Sequence, residues 1–219
     1  MRAMQRELIC IKVGGVRLEG MLDLPRNSIG TVLFAHGSGS SRFSPRNNFV
    51  AERLRQTRLG TLLVDLLTPN EDQNAATRFN IALLTQRLSA ACDWLQQNEG
   101  TAGHPLGLFG ASTGAAAALQ VAATHSSDIA AVVSRGGRPD LAGNHALRKV
   151  RAPTLLIVGG RDFTVIELNR KAYATLSCEK RLEIIPHATH LFEEPGTLEA
   201  VSVLASAWFT RHLIGSDAT

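Results

Sequence analysis

Leu106-Gly107-Leu108-Phe109-Gly110-Ala111-Ser112-Thr113-Gly114-Ala115-Ala116-Ala117-Ala118-Leu119 joins two hydrophobic periodicities at one serine. Before the serine, the apolar run from Pro105 to Phe109 ends in glycine, as a buried parallel strand would. After it, the alanine-rich run from Ala115 to Ala123 reads as a buried helix. A serine on so sharp a strand-to-helix corner is held in a strained backbone conformation, with its hydroxyl pushed above the sheet edge. Glycines on either side remove side chains that would collide with the neighbouring strand or helix. The helix that starts there also aims its unpaired N–H groups and positive dipole end at the serine oxygen. G-x-S-x-G alone is common by chance, and its strand–turn–helix setting is what gives it weight.

The same alternation of strand and helix extends in both directions. Residues 8–13 and 16–24 read as strands of a hairpin turned at Gly14-Gly15. Residues 30–35, 61–65, 129–133, 154–158 and 181–185 are short apolar strand patterns. Helical spacing is predicted over 45–58, 78–97, 141–150, 167–176 and 197–213, and residues 69–77 read as a polar loop. There is no internal repeat, low-complexity segment or interdomain linker, so residues 1–219 are expected to form a single α/β domain. The expected architecture is a mostly parallel sheet with helices on both faces, and ligand sites in such sheets lie at the carboxyl ends of the strands.

Bulk properties narrow the function. Apolar residues make up 44% of the chain and charged residues 19%, an ordinary globular balance. The net charge of +4 comes from dispersed basic residues with no aromatic-interleaved run, which argues against a nucleic-acid partner. Cys10, Cys92 and Cys178 are too far apart and odd in number for a disulfide framework or a zinc site, and Cys10 and Cys92 fall in apolar core patterns. The first residues lack an apolar signal region and no apolar run reaches membrane-spanning length, so the expectation is a soluble cytoplasmic protein, monomer or homodimer, with no membrane partner.

A serine hydroxyl becomes a useful nucleophile when a base takes its proton and a third group orients that base. After Ser112, Asp162 follows the strand pattern and turn Gly159-Gly160-Arg161, and His190 lies in the loop Pro186-His187-Ala188-Thr189-His190 after the last strand. Serine, then acid, then histidine, each on a post-strand loop, is the expected order for catalysis. Ser112 as a plain helix N-cap, Asp162 as a plain turn or cap residue, and His187 in place of His190 stay open as alternatives. His190 is preferred because Leu191-Phe192 follow it as an apolar anchor. His36, His104, His125, His145 and His212 need no catalytic role. The glycine-bearing loop His36-Gly37-Ser38-Gly39-Ser40 follows an early buried strand, so backbone N–H groups of Gly37 and Ser38, with that of Thr113, are candidates for an oxyanion hole. The loop lacks the spacing of a phosphate-cradling or dinucleotide motif.

With His36-Gly37-Ser38-Gly39, Gly110-Ala111-Ser112-Thr113-Gly114, Gly159-Gly160-Arg161-Asp162 and Ala188-Thr189-His190 in hand, the chain resembles the α/β-hydrolase superfamily. Within it, the chain is most similar to small lidless dienelactone-hydrolase-like proteins. The resemblance runs from the strand at Gly30 to Trp208. It implies an eight-stranded sheet whose second strand is antiparallel, with Ser112 as nucleophile, Asp162 as orienting acid and His190 as base. Dienelactone hydrolases proper use cysteine, so Ser112 is a departure that argues against dienelactone itself as substrate. Only about twenty residues separate Val133 from Thr154, too few for a helical cap domain, so the site should be shallow and open.

The expected activity is hydrolysis of a carboxylic ester or lactone through an acyl-enzyme, with no metal and no organic cofactor implied. Acyl transfer or perhydrolysis by the same triad is one alternative, and a non-catalytic binding module on the same fold is another. The substrate is a small molecule. Arg135 and Arg138, after the strand beside the nucleophile's, and Arg42 and Arg46, after the oxyanion loop, are candidate partners for an anionic substrate. The competing reading is that they pair with structural acids such as Asp140.

Overall fold

Gly14 and Gly15, with φ of 54° and 80°, turn the chain between β1 (Gln5–Val13) and β2 (Val16–Leu24). These are the left-handed values that a two-residue hairpin turn requires. The computed structural model describes residues 5–214. After the hairpin come β3 (Gly30–Ala35), α1 (Pro45–Gln56), β4 (Leu59–Val64), α2 (Pro69–Asp72), α3 (Ala75–Arg78) and α4 (Ile81–Gln97). Then follow β5 (Leu106–Ala111), α5 (Thr113–Thr124), β6 (Ile129–Arg135), a 3₁₀ turn (Pro139–Ala142), α6 (Asn144–Lys149), β7 (Thr154–Gly159), α7 (Phe163–Thr175), β8 (Lys180–Ile185) and α8 (Thr197–Leu213).

The strands form one eight-stranded sheet in the order β1-β2-β4-β3-β5-β6-β7-β8. β2 runs antiparallel to both β1 and β4, and the neighbours from β4 to β8 pair in parallel. Central strands β3, β4, β5 and β7 are buried along their whole length because helices cover both faces. Leu84, Leu88 and Leu95 of α4, Ala116 to Leu119 of α5 and Leu147 of α6 fill one side with Leu33, Leu62 and Leu108. On the other side, Val50 and Leu54 of α1 meet Val201, Trp208 and Phe209 of α8 over Phe34, Phe109 and Val133. No cap domain interrupts this fold, and among the described residues no helix is long and apolar enough to cross a membrane.

Several local expectations need correction. The stretch 69–77 is not a loop: it carries α2 and α3. Thr68 and Glu71 form a reciprocal capping box, and Asn74 caps Ala76, so polar residues that read as loop serve as caps. The helix placed at 78–97 starts at Ile81 behind the N-cap Asn80, and that placed at 167–176 starts at Phe163. The helix placed at 141–150 is broken at Gly143, whose φ of 80° separates the 3₁₀ turn from α6. Cys10 is exposed rather than in the core, because on β1 Ile9 and Ile11 face inward and the residue between them faces out.

Candidate active site

Ser112 sits between β5 and α5 with φ 49° and ψ −120°, a region an L-residue occupies only under constraint. The constraint is visible on both sides. A Cβ on Gly110 would stand 2.4 Å from Ala115 Cα, and one on Gly114 would stand 2.2 Å from the Ala35 carbonyl oxygen. Only glycine lets α5 pack that closely on β5 and β3. The Ser112 N–H donates to the Arg135 carbonyl at 3.3 Å, and its own carbonyl accepts from Ala115 N and Arg138 N, both at 3.1 Å. The serine occupies the N-cap position of α5 yet makes no side-chain cap bond, which leaves its hydroxyl free of the capping role.

β7 and β8 bring the other two side chains together. Their parallel register sets Gly159 opposite Ile185, and Arg161 N donates to the Ala188 carbonyl at 2.9 Å. A Cβ on Gly159 would come within 2.5 Å of the Ala188 and Thr189 carbonyl oxygens, so the two loops lie in direct contact. Across them His190 Nδ1 donates to Asp162 Oδ2 at 2.6 Å. A carboxylate can only accept, so Nδ1 carries a proton and Nε2 is the ring nitrogen left to face a substrate. Asp162 also starts α7 without a side-chain cap bond, its carboxylate being turned to the imidazole instead. His187 is exposed, with φ 65°. Phe192 anchors the loop, buried to 1% exposure at φ 57°, while Leu191 stays exposed. Glu194 accepts the Thr189 N–H at 3.0 Å, which holds its carboxyl below the ordinary range.

No side-chain hydrogen bond joins Ser112 to His190 among the described residues. The two are placed on a shared edge instead: a Gly136 Cβ would lie 3.6 Å from His190 Cε1, and Gly136 follows the residue whose carbonyl holds Ser112 N–H. Such links commonly tighten only when substrate is bound.

The glycine loop closes the third side. A Cβ on Gly37 would stand 3.0 Å from Ser112 Cβ, so its backbone lies against the serine. Thr113 N–H is at the open end of α5, and Ser38 N–H belongs to the exposed tip of the loop. His36 was given no role from sequence, yet it positions this loop. Leu66 N–H donates to its Nε2 at 2.9 Å, so its Nδ1 carries the proton and donates to the Gly37 carbonyl, also at 2.9 Å. Burial pushes its pKa below the ordinary 6.5, which keeps the ring neutral. Its place directly before Gly37 was the available signal.

The four candidate arginines separate. Arg42 is paired with Asp65 and, at 2.5 Å, with Glu19. Arg138 is paired with Asp140 at 2.7 Å, and Arg46 with Glu193 at 3.0 Å. Arg135, buried at the end of β6, has no carboxylate partner among the described residues.

The model of the dienelactone hydrolase family matches residues 67–208, which include the serine, the aspartate and the histidine. The chain belongs to the dienelactone hydrolase family. A crystal structure of dienelactone hydrolase from Anabaena variabilis is 54% identical and superposes with a TM-score of 0.93, covering 97% of this chain and all of that one. The esterase domain of a Rhodothermus marinus protein, at 21% identity and TM-score 0.77 over 96% of this chain and 100% of its own, shares the fold. Two curated Mycobacterium tuberculosis proteins, provisionally named phosphoribosyl transferase, are 54% identical over 95% of this chain. The chain spans only 47% of their length. Membership of the dienelactone hydrolase family supports hydrolase chemistry, and the esterase domain adds agreement of the fold alone.

Proposed function

We propose that the protein is a serine hydrolase that cleaves a carboxylic ester or lactone through an acyl-enzyme. The observation that carries this reading is the strained Ser112 corner combined with the 2.6 Å His190–Asp162 bond at the same sheet edge. Ser112 Oγ attacks the ester carbonyl while His190 Nε2 takes its proton. Asp162 holds the imidazole and stabilises the imidazolium. The tetrahedral oxyanion is met by backbone N–H groups of Thr113 and the Gly37–Ser38 segment. His190 then returns the proton to the departing alkoxide, which leaves as the alcohol. A water molecule, deprotonated by His190, attacks the acyl-serine. Collapse of that second intermediate releases the carboxylic acid and restores Ser112.

The absence of a cap over the Val133–Thr154 connection supports an open site for a small substrate. Free thiols at Cys10, Cys92 and Cys178 support a reducing, cytoplasmic setting. The transferase name of the curated relatives is assigned, in this reading, to the half of those proteins that this chain does not span. An ester panel of graded chain length and charge, run on wild type and Ser112→Ala, tests the proposal. Turnover of at least one ester by wild type, lost in the variant, supports it. Equal turnover by both proteins contradicts it.

A further inference from the structure

Among the described residues, enclosed arginines are matched with acids except at Arg135. Arg87 is paired with Glu71 at 2.5 Å, and Arg55 with the buried Asp23 at 3.3 Å. Arg135 is 7% exposed and carries no such partner among the described residues. Its Nη2 reaches Asn47 Oδ1 at a long 3.4 Å, while Nε and Nη1 are buried with no acceptor. The guanidinium lies 5.9 Å from the Phe192 ring centroid. Desolvation, and then the like charge of Arg46, push its pKa down to about 10, which still leaves it charged at neutral pH. A buried cation without a counter-charge is costly, and such a group is kept where an anion completes it.

The surroundings supply more positive character and a movable acid. Asn47 and Phe192, which touch Arg135, are the chain neighbours of Arg46 and Glu193. Arg46 and Glu193 therefore bridge the same two segments, the start of α1 and the histidine loop, with Glu193 mostly in solvent. Arg46 Nε is itself buried without an acceptor. The first turn of α1 holds no acidic residue, so its positive end is uncompensated. Two adjacent arginines thus present three enclosed nitrogens with nothing to donate to, and Arg135 also holds Ser112 N–H through its backbone carbonyl.

We infer that Arg135 and Arg46 form an oxyanion subsite beside Ser112, which takes a carboxylate or phosphate group in exchange for Glu193. The group is carried by the ester substrate or arrives as a free anion. The effect on turnover rests on the hydrolase reading above, whereas binding does not.

Binding of inorganic phosphate at constant ionic strength, measured by calorimetry on wild type and Ser112→Ala, separates the two. Saturable 1:1 binding to both is expected, weakened roughly 10- to 100-fold in Arg135→Gln and tightened in Glu193→Gln. Glu193→Gln is a surface change, so it decides the matter where Arg135→Gln fails to fold. Kinetics then distinguish the sources. If the anion belongs to the substrate, phosphate competes with a dicarboxylate monoester, and Arg135→Gln lowers the ratio of anionic to neutral kcat/KM by a similar factor. If the anion is free, phosphate binds without competing and the ratio holds. A wild type with no saturable phosphate binding, together with a ratio insensitive to both Arg135→Gln and Glu193→Gln, overturns the inference. Loss of all esterase activity with phosphate binding intact would count against the hydrolase reading alone.

Discussion

At the scale of the residue, Ser112 is defined by what its neighbours lack. Gly110 and Gly114 let two backbones approach a corner that no larger residue would permit, and the cost of the φ of 49° is met by packing of α5. His190 is tied to Asp162 by one 2.6 Å bond, on which its proposed role as base rests. Asp162→Asn is expected to lower kcat by roughly 10³- to 10⁴-fold, because an amide can hold the wrong tautomer, with little change in thermal stability. Parallel kinetics and thermal unfolding check this, and a loss of stability that matches the loss of activity would oppose it. The three candidate positions could be read from sequence because each follows a strand and has a distinct local pattern. His36 and Arg135 were harder to read. The task of His36 depends on Leu66, thirty residues away in sequence, and the isolation of Arg135 depends on which acids fold towards its fellow arginines.

At the scale of the element, the strand-to-helix alternation was readable outside residues 69–77 and the broken helix at 141–150, because central strands are apolar runs and the long helices bury apolar residues at helical spacing. The terminal helix was read with both ends correct, since Gly196 precedes it and its apolar spacing persists to Leu213. Residues 69–77 misled because capping residues and loop residues are the same types, and only the reciprocal bonds of Thr68 and Glu71 distinguish them. The contact of α5 with β3 is the tightest constraint on the corner. Gly114→Ala would drive a methyl to 2.2 Å from the Ala35 carbonyl oxygen and 2.5 Å from that of His36. A destabilisation of about 3 kcal/mol or more is expected by denaturant titration. A variant as stable as wild type would show that α5 can shift away from β3.

At the scale of the whole molecule, one sheet gathers loops from β3, β5, β6, β7 and β8 on a single edge, and the site is the sum of those loops. Their charge states give the fold a pH signature. Burial holds His36 below its ordinary 6.5, and His104 and His212 are lowered for the same reason. In the window below 6.5 the unfolded chain binds more protons than the folded one, so stability falls as the pH falls. Arg87 holds Glu71 down from 4.5 to about 2, so its contribution is full above 4.5 and is lost as the pH falls through about 2. Thermal midpoints measured against pH should therefore decline in two stages. His36→Gln should reduce the upper slope and Glu71→Gln the lower one. A midpoint unchanged between pH 7 and pH 5 would contradict the buried, neutral His36.

The central claim is that Ser112 is the nucleophile. Intact-protein mass spectrometry after treatment with a fluorophosphonate, followed by peptide mapping, tests it most directly. One phosphonyl adduct on Ser112, forming in step with the loss of ester turnover and absent from Ser112→Ala and slowed in Asp162→Asn, is the expected result. An active wild type that never labels at Ser112, or that labels elsewhere while turnover falls, would contradict the account.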